Sequence, residues 1–125
     1  MKSLPLSVAA LAARPWKGQW LMAVALLHTA AGGVLFAPQW QTLWRRGVFN
    51  SVMGDAPTDN AVWFLLSGAV LALLAWEITA LECSQPAVEL RPMGWCLLAL
   101  VLAGVVLMPA SGFWLVLPPA LALLV

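Results

Sequence analysis

The chain has 125 residues, of which 63% are hydrophobic and 9% charged, against about 25% charged in an ordinary soluble domain. A mean hydropathy of +0.94 and a formal net charge of +1 exclude a disordered tail, a collagen-like fibre and a basic nucleic-acid-binding domain. Composition therefore places the chain in a bilayer.

Residues 1–15 read as a leader. The start, MKSLPLSVAALAAR, imitates a signal peptide with one lysine and a short apolar run. Pro5 interrupts that run and another apolar segment follows at once, so a short cytoplasmic or interfacial leader is the better reading. Crossing about 30 Å of hydrocarbon takes about 20 helical residues, and four segments can be cut on that basis. The first runs from Trp16 to Phe36, without charge after Lys17. The second runs from Ala61 to Leu81, with Glu77 as its only charge. From Pro92 to Val125 no charged side chain occurs, and one helix of that length would extend about 51 Å. It must fold back, and Pro109-Ala110-Ser111-Gly112 supplies the turn chemistry. A third span, Met93 to Met108, and a fourth, Ser111 to Val125, follow. The fourth reaches only about 22 Å as a helix and carries Pro118 and Pro119. A β-barrel would need alternating segments with a polar lumen side, whereas these runs are continuous. The expected fold is all-α: an integral membrane four-helix bundle of two transmembrane hairpins, forming one domain over residues 16–125.

Positive residues favour the cytoplasmic side. With the N-terminus inside, Lys2, Arg14, Lys17 and Arg91 lie inside and Arg45 and Arg46 outside, so both termini are placed in the cytoplasm. Indoles prefer the headgroup level. Trp16, Trp20, Trp76 and Trp95 then fall at the inner boundary and Trp40, Trp44, Trp63 and Trp114 at the outer one, as four crossings require. Cys83 and Cys96 bracket the loop between spans two and three, where reduced thiols are expected. With one histidine and no close cysteine pair, the chain offers no tetrahedral zinc site and no cofactor motif.

His28 is the first candidate for chemistry, because an ionisable group inside a span is expensive and commonly functional. It lies about 18 Å along the first helix from Trp16, whereas Glu77 lies about 6 Å from the inner end of the second. A separation of about 12 Å in depth makes them poor partners for a direct proton relay. Ser67 is closer in depth, and an imidazole bonded to a hydroxyl or carbonyl of the neighbouring helix is the plainer account. Glu77, beside Trp76 at a span terminus, can reach headgroups and water. A proton-coupled four-helix exporter would carry its glutamate on the first helix, and no acid occupies that helix here.

The first outer loop holds more information. After Pro38, Trp40, Leu43 and Trp44 recur at i, i+3 and i+4, which predicts a short interfacial helix that Gly47 ends. Arg45 and Arg46 have the fork geometry to bind a lipid phosphate of the outer leaflet; anchoring at the headgroups, or pairing with Asp55 and Asp59, is the alternative. Ala25, Gly32, Gly33, Gly68, Ala72 and Gly104 are small enough for close helix approach. A shallow outward-facing pocket bounded by His28, Arg45, Asn50, Trp63, Ser111 and Trp114 is expected.

LHTAAGGVLF, RRGVFNSVMGD, AVWFLLSGAVLALL and MGWCLLALVLAGVVLMPASGFWLVLPPALALL resemble, in that order, an uncharacterised family of small bacterial four-helix membrane proteins. The resemblance covers residues 16 to 125, and MPASGFWLVLPPA is its most specific part. It implies the fold and a bacterial inner-membrane setting, and it carries no activity and no functional residues.

Taken together, the sequence supports a non-enzymatic integral membrane protein that binds a lipid or apolar ligand near the outer leaflet through His28, Arg45, Arg46, Asn50, Trp63, Ser111 and Trp114. The main alternative is a membrane-embedded enzyme acting on a lipid or isoprenoid, with His28 and Asp55 or Ser67 as its acid–base nucleus. A small proton-coupled transporter is the third reading. The expected partner is membrane lipid; nucleic acid is excluded, and a second copy of the chain is compatible with the glycine-bearing faces.

Overall fold

The structure, a computed structural model, describes residues 15–52, 54–84 and 89–125; residues 1–14 of the expected leader lie outside them. Among the described residues the chain is all-helical, with five α-helices: α1 (Trp16–Leu35), α2 (Ala37–Arg46), α3 (Ala56–Glu82), α4 (Arg91–Leu107) and α5 (Leu117–Ala122), the last preceded by a 3-10 turn at Gly112–Val116. Two of them, α1 and α3, are long and apolar enough to cross a membrane.

Helix α3 begins five residues before the apolar run does. Pro57 in its first turn lacks the N–H that a first turn leaves unused, and Asp59 in the same turn faces the positive end of the helix dipole. Its 27 residues extend about 40 Å. Helix α4 stops at Leu107 because Met108 precedes Pro109 and is pushed to φ −140°, ψ 75°.

The central contact is the antiparallel pair α1–α3. Gly18, Ala25 and Gly32 are buried on α1, and Ala61, Gly68 and Ala75 on α3. Both sets repeat every seven residues, the period that keeps one stripe facing a partner along a left-handed crossing. The backbones come close enough that a Cβ on Gly18 would stand 2.5 Å from Thr79 N and 2.8 Å from Ala75 O. Polar bonds accompany the stripe. Glu82 Oε2 accepts from Gly18 N at 3.0 Å, so the last residue of α3 occupies the positive end of α1, where a carboxylate is favourable. Gly33, by contrast, has open space where its side chain would project, and Ala72 is only half-buried; neither lies on the tight seam expected for it.

The fourth segment, short and interrupted by Pro118 and Pro119 in the sequence, is broken in the structure. A single helix over 111–125 is replaced by the 3-10 turn and the six-residue α5. Pro118 and Pro119 lack N–H groups, so the carbonyl of Leu115 has no donor at either i+3 or i+4. Trp20 Nε1 donates to that carbonyl at 2.7 Å. The indole, expected at the inner headgroup belt, therefore joins α1 to the broken segment. Leu21, Ala75, Ile78, Leu97, Val101, Val116, Ala120 and Leu123 form the buried cluster, which lies towards the N-terminal half of α1 and leaves the other end to α2 and the loop after it.

Candidate functional site

The polar and aromatic residues outside that cluster fall into two groups. The first surrounds Phe64 of α3. His28 and Gly32 on α1, and Phe36 just past its end, stand four residues apart and enclose its ring: the imidazole stacks on it with centroids 3.9 Å apart and planes within 10°, Phe36 tilts against it at 5.3 Å, and a Cβ on Gly32 would stand 2.8 Å from it. His28 Nε2 lies 2.8 Å from the Phe64 carbonyl and 3.1 Å from Ser67 Oγ. Ser67 Oγ itself donates to the same carbonyl at 2.7 Å.

One tautomer of His28 suits all three distances. A carbonyl oxygen only accepts, so Nε2 at 2.8 Å from it must carry a hydrogen. A nitrogen that carries a hydrogen cannot take the Ser67 proton, and the Ser67 hydroxyl already points at the carbonyl. In that tautomer the Ser67 hydroxyl has the Phe64 carbonyl, and not Nε2, as its acceptor. What the pair does is bind α1 to α3 through one backbone oxygen, the account that the depths of His28 and Ser67 favoured.

The second group is the connection from α2 to α3. Trp40 Nε1 donates to Gly32 O at 3.1 Å, and Trp40 and Leu43 are half-buried against the fold. Trp44, expected on the same face, is 74% exposed. Gly47 ends α2 with φ 78°, a value that L side chains rarely adopt. Arg46 Nη1 then pairs with Asp55 Oδ2 at 2.9 Å, and Thr58 Oγ1 donates to the same oxygen. The loop between is held from within: buried Ser51 donates to Val48 O at 3.1 Å, and Asn50 and Gly54 both take positive φ. Phe49 stands at its tip, 97% exposed.

Among the described residues no hydrogen bond or ion pair joins any two of His28, Arg45, Arg46, Asn50, Trp63, Ser111 and Trp114. His28 belongs to the Phe64 group and Arg46 to the ion pair. Arg45 and Asn50 are exposed on the loop side, and Trp63 is exposed on α3. Trp114 donates its N–H to Pro109 O at 2.9 Å, closing the turn before the 3-10 segment. Ser111 Oγ is buried there with no partner. An open cleft of about 460 Å³ at the start of α3 is lined by Val52, Gly54, Asp55, Ala56 and Asp59, none of them in the expected set. Glu77 is exposed, as are the free thiols Cys83 and Cys96. No group of three or more potential metal ligands occurs among the described residues. Asp55 closes the loop at its base by pairing with Arg46 and accepting from Thr58; the sequence offers it as an ion-pair partner of the arginines or as an acid–base partner of His28, and the exposed Phe49 gives no periodic signal.

No curated protein and no solved structure matches the chain. Residues 12–125 match a family of unknown function, DUF6463. A match over that much of the sequence makes the chain a member of the DUF6463 family.

Proposed function

We propose that this is a small, non-enzymatic, multi-pass membrane protein of a bacterial inner membrane, with both termini cytoplasmic and a lipid-binding end formed by α2 and the loop after it. The observation that carries the reading is the outward face of α1 and α3. Leu26, Leu27, Val34 and Leu35 on α1 and Val70, Leu73 and Trp76 on α3 are exposed on helices long enough to cross hydrocarbon. In water such faces would aggregate; in acyl chains they are solvated. The backbone is satisfied within the helices, as a bilayer demands, and the one intramembrane imidazole is committed to a carbonyl. The four-span bundle is supported by the apolar character of α4 and of the terminal segment, and the orientation by the distribution of lysine and arginine.

Alkaline carbonate extraction of membranes tests the reading, with the full chain expected in the pellet and its release overturning it. Labelling with a membrane-impermeant maleimide then tests the orientation. Cys83 and Cys96 are expected to react only after the membrane is permeabilised; labelling in intact cells would reverse the topology.

A further inference from the structure

Between α2 and α3 the described residues present apolar side chains in a way that solubility would oppose. A loop bearing a phenylalanine normally turns it inward, because burying such a side chain is worth about 1.5–3 kcal/mol. Here the Arg46–Asp55 pair closes the loop at its base, Ser51 ties its interior, and two glycines and Asn50 take positive φ. The result holds Phe49 outward, 97% exposed, with Val48 beside it and Trp44 at the end of the preceding helix, 74% exposed. Arg45, next to Trp44 in the last turn of α2, is exposed as well. Arg46, its neighbour, is occupied by Asp55, so the two arginines of the sequence do different work: one shapes the loop and the other faces outward.

The geometry points to a phospholipid headgroup site in which the Arg45 guanidinium grips the phosphate while Phe49 and Trp44 enter the boundary between headgroups and acyl chains. This rests on the membrane reading above. A guanidinium presents paired N–H donors that match two phosphate oxygens, an indole is stable at the headgroup level, and a phenylalanine tip supplies apolar area just below it. The positive charge of Arg45 selects a lipid with net negative charge, so phosphatidylglycerol is the headgroup class favoured over a neutral one.

The test uses the full chain in mild detergent, with native mass spectrometry reading the lipid retained after addition of phosphatidylglycerol, diacylglycerol or inorganic phosphate. Retention of phosphatidylglycerol over diacylglycerol is expected, with about a tenfold loss in Arg45→Gln and in Phe49→Ser. Both positions are exposed, and unchanged circular dichroism verifies that the variants fold. Arg46→Gln should weaken retention less than Arg45→Gln. Equal retention by Arg45→Gln and the unsubstituted chain overturns the site, as does equal binding of diacylglycerol. Displacement of the lipid by inorganic phosphate alone would identify a soluble phosphate site instead. Failure of the membrane reading is distinguished by the carbonate extraction, which does not depend on Arg45.

Discussion

The two helical pairs of this protein bury glycines by different means. Between α1 and α3, small residues recur in matching seven-residue repeats, and at Gly18 the neighbour is backbone, Thr79 N and Ala75 O, whereas Gly32 meets the Phe64 ring and Gly68 the side chains of Thr29 and His28. Between α4 and the terminal segment, small residues face large ones. Gly104 receives the ring of Phe113, and Gly94 receives the side chains of Leu123 and Leu124 first, with the Leu123 carbonyl carbon further off at 3.2 Å. The first pair also carries polar bonds at both ends, through Glu82 to Gly18 and His28 to Phe64. The second has a proline-broken partner whose exposed carbonyl is satisfied from outside by Trp20. The backbone contact at Gly18 cannot adjust, whereas a side chain in a glycine hollow, such as Phe113 at Gly104, can rotate away.

The largest effect should therefore come from Gly18→Ala. Its methyl would meet main-chain atoms that belong to a helix, and the two helices would have to separate. We expect a loss of about 3 kcal/mol, measured by unfolding in mixed detergent micelles with circular dichroism. Thr79→Ala removes the hydroxyl from the clash and leaves the backbone, so it should restore only part. Complete rescue by Thr79→Ala would show that the seam is made by side chains and would dissolve the contrast between the pairs.

Trp20→Phe comes next. It keeps an aromatic ring and removes the only described donor to Leu115 O, which should cost about 1–3 kcal/mol. The cause is specific: Pro118 and Pro119 withhold the helical donors. In a Pro118→Ala/Pro119→Ala background the backbone can supply them, and Trp20→Phe should become nearly neutral in the same unfolding assay. An undiminished cost in that background would locate the role of Trp20 in packing.

Gly104→Ala should cost about 1–2 kcal/mol, since Phe113 must move but belongs to a turn. Phe113→Leu is expected to recover most of it. If Gly104→Ala equalled Gly18→Ala, the difference between a backbone seam and a side-chain hollow would fail.

Much of this architecture could be read from local chemistry. Pro38, the Trp40–Leu43 spacing and Gly47 defined α2, and Pro109 with Ser111 and Gly112 placed the fold-back after α4. Gly32, Gly68 and Gly104 were recognised as small contact positions from a spacing of four, but the seam repeats every seven, so Gly18, Ala61 and Ala75 escaped and Gly33 was included. Trp20 was assigned to the headgroup belt because its partner, Leu115 O, lies 95 residues away; only the relative register of the two pairs brings them together. In the loop, charge made the Arg46–Asp55 pair conceivable beforehand. The outward stance of Phe49 was not legible, because exposure is decided by the clasp around the loop and not by the residue itself.

Gly33→Ala provides the smallest effect and the sharpest control, because it has the opposite sign. Gly33 adjoins Gly32 in sequence and lies on the same helix, yet nothing stands within 4 Å of where its Cβ would be. Alanine there loses no contact and limits the freedom of the unfolded chain, a gain of about 0.4–1 kcal/mol. Gly32→Ala, one residue earlier, would instead press on the Phe64 ring at 2.8 Å and disturb the stack with His28. Neighbouring glycines with effects of opposite sign would tie the stability of α1 to the face of the seam, since helix propensity alone predicts a gain at both positions. A gain at both would mean that α1 and α3 tolerate a wider spacing at this level than their closest approach at Gly18 permits.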